Sequence, residues 1–142
     1  MGWLTKQMYS RGPGSPGKTC ETVVKSFLKY IKLGLDKHEA CNRIIHDYKQ
    51  VYVQAGIPEL DLYCEVMSDF VDGNPSITAF IITLSSHNGN LRLIKQLYQD
   101  LDTIIEISKD VLLRYNIRPQ FDDRMDYEMA FEAFLRHPNH EE

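Results

Sequence analysis

From position 19 onward the apolar residues recur at helical spacing. Val23, Val24, Phe27, Leu28 and Ile31 stand at i, i+1, i+4, i+5 and i+8, which puts them on one face of a helix, with Thr19 expected to cap its start and Gly34 to end it. A second amphipathic stretch carries Ala40, Cys41, Ile44, Ile45, Tyr48 and Tyr52. Asp36 and Glu39 precede it at capping-box spacing, with aspartate in place of the usual Ser or Thr, and Gly56 and Pro58 mark its end. A third helix is expected from Pro58, burying Tyr63, Val66, Met67 and Phe70 before Gly73.

The segment ITAFIITL, residues 77–84, is rich in β-branched side chains and reads equally as a buried strand. Asn74-Pro75, a capping residue followed by one suited to the first helical position, decides for a helix. Leu91, Ile94, Leu97, Tyr98, Leu101, Ile104, Ile105, Ser108, Val111, Leu112 and Tyr115 then form one stripe, which predicts a single helix about 37 Å long as the spine of the fold. Asn116 and Pro119 are expected to terminate it. A last helix over 123–136 turns Tyr127, Ala130, Phe131, Phe134 and Leu135 to one side.

Each stripe must be covered by another, and no strand alternation offers a sheet. The expected fold is therefore all-α: a single-domain bundle of about five to six helices with a long central helix and a flexible N-terminal arm. Residues 10–19, with three glycines and two prolines, read as a loop. The expected organisation is thus a flexible arm and Gly/Pro loop over 1–18, a helical domain over 19–137 and a frayed tail over 138–142.

Composition adds bounds. At 142 residues, 43% hydrophobic and 25% charged, the chain suits one domain with its own core. Cys20, Cys41 and Cys64 form no CxxC pair, so neither a disulfide framework nor a zinc knuckle is indicated, and reduced, buried thiols in a cytoplasmic setting are expected. No apolar run approaches the roughly 18 residues that a membrane-spanning helix needs.

The charge is unevenly spread. Residues 1–50 hold nine Lys or Arg against four acids, and the rest of the chain holds seven against sixteen. Lys25, Lys29 and Lys32 fall at i, i+4 and i+7 and make a basic row on the first helix. Such a row is a solvated face, a surface for an acidic protein partner or a second copy of the chain, or a contact for a polyanion. Nucleic acid or an anionic membrane surface would be met by Arg11, Lys18, Lys25, Lys29, Lys32 and Arg43. A net charge of -4 argues against that polyanion reading.

Catalytic chemistry is less well supported. Gly12-Pro-Gly-Ser-Pro-Gly17-Lys18-Thr19 spells GxxxxGKT, the phosphate-cradling loop of nucleotide-binding proteins, in which the lysine meets the outer phosphates and the threonine a magnesium ion. No buried strand leads into it, and Pro16 lacks the N–H that the cradle would use just before Gly17. It reads better as a hinge. His38, Cys41 and His46 lack metal-ligand spacing, and Ser85, Ser86 and His87 stand in a row without an oxyanion element. No metal, cofactor or catalytic set is therefore expected. The first expectation is a non-enzymatic interaction or assembly module that self-associates, with Trp3, Met8 and Tyr9 on the arm as exposed or partner-buried anchors, or equally folded back onto the domain's own surface.

Overall fold

The computed structural model describes residues 9–10, 15–56, 73–87, 90–118 and 124–136. Among them are six helices and no strand: α1 Pro16–Lys32, α2 Lys37–Gln54, α3 Pro75–Ser86, α4 Leu91–Gln99, α5 Leu101–Arg114 and α6 Arg124–Leu135. The all-α expectation holds. The helix expected from Pro58 to Gly73, the third thiol Cys64 and the tail lie outside the described residues.

The ends of these helices follow their sequences closely. Asp36 and Glu39 close a reciprocal capping box at the start of α2: Glu39 N–H donates to Asp36 Oδ1 at 2.8 Å and Asp36 N–H to Glu39 Oε1 at 3.1 Å. At the end of α1, Leu35 N–H reaches back to the Tyr30 carbonyl and Gly34 N–H to that of Ile31. This 6→1 and 5→2 pair needs a left-handed residue at its corner, and Gly34, at φ 107°, supplies it. The end of α5 repeats the pattern with Asn116 at φ 60°.

The first helix starts earlier than expected. Ser15, not Thr19, is the cap: its side chain accepts from Lys18 N–H, and Pro16 occupies the first helical position. A proline there loses no intrahelical bond and presets φ, so part of the apparent loop is a helix start. Gly17, Lys18 and Thr19 therefore lie in the first turns of α1 rather than in a hinge.

The single helix expected over 91–115 is broken at Asp100, which has φ -100° and ψ 23°. Backbone bonds continue through the bend, from Asp100 N–H to Gln96 O and from Ile104 N–H to Asp100 O. The apolar stripe continues as well, with Leu97, Leu101 and Ile104 all buried, which is why periodicity alone reads straight through the bend.

The centre of the fold is consequently α3, not a long spine. Helices α1, α2, α5 and α6 all pack on it, and every residue from Pro75 to Ser85 is buried. Its two threonines bond locally, Thr78 Oγ1 donating to Asn74 O at 2.8 Å and Thr83 Oγ1 to Ala79 O at 2.9 Å, whereas the buried Ser85 Oγ has no partner among the described residues. Asn74 Oδ1 accepts from Ser76 and Ile77 N–H, so the cap that decided for a helix is present. Each large apolar side chain of α3 contributes about 1.5–3 kcal/mol through burial. Phe80 meets Tyr127 of α6 edge-on with centroids 5.1 Å apart, and Tyr98 of α4 stacks on Phe131 at 4.4 Å. Tyr127, Ala130, Phe131 and Phe134 face inward as expected, whereas Leu135, at the end of α6, is exposed.

Candidate functional site

Tyr9, an exposed or partner-buried anchor on one reading of the sequence and folded back on the other, lies in the domain's own core at 8% exposure. Its hydroxyl donates to Asp100 Oδ2 at 2.7 Å, and Gln96 Nε2 donates to the same oxygen at 3.0 Å. Burial first, then the bond to the carboxylate and its charge, push the Tyr9 hydroxyl above the ordinary phenol range. The chain at Tyr9 and Ser10 crosses directly over Gly17. A Cβ there would stand 2.8 Å from Ser10 Cα and 2.9 Å from Tyr9 O, so the approach requires glycine. Trp3, Met8, Arg11 and Gly12 lie outside the described residues.

The basic row is a surface feature. Lys18, Lys25, Lys29 and Lys32 are all exposed on α1. Lys18 pairs with Glu21 at 3.7 Å, whereas Lys25, Lys29 and Lys32 make no ion pair among the described residues. Burial alone would raise the Glu21 carboxyl, but the Tyr115 hydroxyl bond and the charges of Lys18, Lys25 and Arg114 outweigh it and hold the group below its usual range. Lys29 Nζ lies 5.8 Å and Arg43 Cζ 6.0 Å from the centroid of the Tyr30 ring. The Tyr30 hydroxyl donates to Asp47, joining α1 to α2 and raising the phenol. Arg43 thus adds a cation from α2 next to the row.

On α6 the outward face is different. Met125 and Met129 are exposed, and so is Glu132, while Glu128 is half-buried and accepts from Arg124 Nε at 2.9 Å. Arg124 also holds Asp102 of α5. The methionines and glutamates fall at i, i+3, i+4 and i+7, an apolar and acidic stripe on one side of the helix.

The other chemical candidates are not brought together. His38 and His46 are exposed while Cys41 is buried, and no group of three metal-ligating side chains occurs among the described residues. Burial pushes the Cys41 thiol up to about 11, against a smaller opposing effect of its bond with Thr78. Ser85 is buried, Ser86 Oγ donates to Thr83 O, and burial lowers the His87 imidazole. No strand precedes Gly17, Lys18 and Thr19 among the described residues, and Gly17 is covered by the chain at Tyr9.

One feature had no counterpart in the sequence pattern. A cavity of about 40 Å³ opens where α2 and α3 begin, lined by Phe27, Lys37, Asn74, Leu112 and Arg118 among others. Asn74 was legible only as a cap. Comparison with known protein families, curated proteins and solved structures finds no match to this chain.

Proposed function

We propose that this protein is a non-enzymatic assembly module that self-associates, the lysine row of α1 in one copy meeting the Met129–Glu132 face of α6 in another. The observation that carries the reading is the row itself: Lys25, Lys29 and Lys32 are exposed and make no ion pair among the described residues of their own chain. Residues 25–32 and 125–132 each span seven helical steps, about 10 Å, so the two rows match in length and oppose in charge. Exposed ion pairs are worth only about 0–1 kcal/mol each, so they steer the encounter and fix register. Binding strength would come from apolar surface, supplied by Met129 at 50% exposure on one side and Leu33 at 67% on the other. The buried thiols Cys20 and Cys41 suit a reducing, cytoplasmic setting. No helix among the described residues is long and apolar enough to cross a membrane.

Light scattering across a concentration range tests this. Mass rising with concentration at low salt and falling back at high salt supports it; a monomer throughout contradicts it.

The same exposed lysines favour one second reading, contact with a polyanion through Lys18, Lys25, Lys29, Lys32 and Arg43. Retention on heparin with a steep salt dependence would support it, and passage at low salt would end it. Nucleotide binding at Gly17, Lys18 and Thr19 ranks third, because their place in a covered helix start lends it no support.

A further inference from the structure

The cavity at the joint start of α2 and α3 collects unpaired donors. Asn74 is only 4% exposed, and its Oδ1 accepts from Ser76 N–H, Ser76 Oγ and Ile77 N–H, while its Nδ2 has no partner among the described residues. With Oδ1 turned to the first turn of α3, Nδ2 occupies the opposite branch of the amide, away from the N–H groups of that helix. A buried, unmatched NH2 group is costly, and an acceptor in the cavity would remove that cost. Lys37 and Arg118 line the same cavity, and neither makes an ion pair among the described residues. Among the described residues no acidic side chain lines it.

Lys37 opens the 18-residue α2 and Pro75 the 12-residue α3, so two helix starts converge on this corner, α2 with its capping carboxylates Asp36 and Glu39 outside the lining of the cavity and α3 capped by Asn74 Oδ1. Gly73, at φ 73°, holds them together: a Cβ there would stand 3.2 Å from Lys37 Cβ and 3.4 Å from His38 N. Phe27 and Leu112 form an apolar wall, which strengthens any charge interaction made against it.

We propose that this corner is a binding site for a compact oxyanion, a single phosphate or carboxylate group, held by Asn74 Nδ2, Lys37 and Arg118. Size sets the class of ligand. At roughly 10–15 Å³ of such space per water, about 40 Å³ takes one oxyanion group and excludes a nucleoside attached within it. The site is separate from the lysine row and does not depend on self-association.

Thermal unfolding of the full chain in sodium phosphate, in sodium acetate and in sodium chloride of matched ionic strength tests the proposal. The melting temperature should rise saturably with an oxyanion and not with chloride. A response to phosphate alone assigns a phosphate group, a response to acetate alone a carboxylate, and a response to both a general oxyanion site. Lys37 and Arg118 are exposed, so Lys37→Gln with Arg118→Gln should leave the helical spectrum intact and raise the half-saturating concentration about tenfold or more. Asn74→Asp keeps a capping oxygen and replaces the Nδ2 donor by a carboxylate oxygen, which repels an anion and itself meets Lys37 and Arg118. It should abolish the response and raise the melting temperature without added anion. No response beyond chloride, or one unchanged in the double variant or in Asn74→Asp, overturns the proposal.

Discussion

The Tyr9 hydroxyl donates to the Asp100 carboxylate at 2.7 Å, joining residues 91 positions apart at the bend between α4 and α5. This bond ties the segment before α1 to the point where the expected long helix breaks. Tyr9→Phe removes the donor and leaves a buried carboxylate supported, among the described side chains, by Gln96 alone. The expected loss is about 1–3 kcal/mol of unfolding free energy, read as a lower midpoint in urea with little change in slope. A midpoint equal to that of the wild type would show that the bond contributes nothing.

Gly17→Ala separates helix propensity from packing. Alanine is the better helix former by about 1 kcal/mol, and an open site would gain stability from it. Here the new methyl meets the backbone at Tyr9 and Ser10 and the Ile107 side chain at 3.1 Å or less. The variant is expected to be destabilised by about 1–3 kcal/mol and to be cleaved faster by protease near Tyr9. Equal or greater stability would contradict the close approach.

The two capped starts should differ in cost. Asp36→Ala opens an exposed capping box at α2, for an expected loss of about 1 kcal/mol. Asn74→Ala removes the acceptor for three donors at the buried start of α3, and about 2–4 kcal/mol is expected. Paired chemical denaturation curves give the order, which the packing of α3 requires to be Asn74 above Asp36.

Acid should weaken the fold partly through His87. Burial lowers its folded pKa below the ordinary 6.5, so the unfolded chain takes up a proton first as the pH falls. Its contribution is fully present above about 6.5 and declines from there until the folded imidazole is protonated in turn. His87→Gln should flatten the stability profile just below pH 6.5, and an unaltered slope there would assign it to other groups.

The sequence made the helices legible where local rules suffice. The Asp36–Glu39 box, the Gly34 corner and the Asn74-Pro75 start each depend on neighbours within a few positions. Asp100 was hidden because the stripe of Leu97, Leu101 and Ile104 runs on across the bend. Tyr9 was hidden because its partner lies far along the chain. The lysine row could be read from spacing alone, since Lys25, Lys29 and Lys32 share one helix. The oxyanion corner could not, because residues 37, 74 and 118 meet only once three helix ends are packed together.

The central functional claim is that one copy's α1 lysine row engages another copy's α6. Sedimentation velocity at low salt on the Lys25→Glu, Lys29→Glu, Lys32→Glu triple variant tests it most directly. The variant should sediment as a monomer where the wild type associates, and mixing it with a Glu128→Lys, Glu132→Lys variant should restore the larger species. A wild type that stays monomeric at every concentration, or association indifferent to both charge reversals, would contradict the claim.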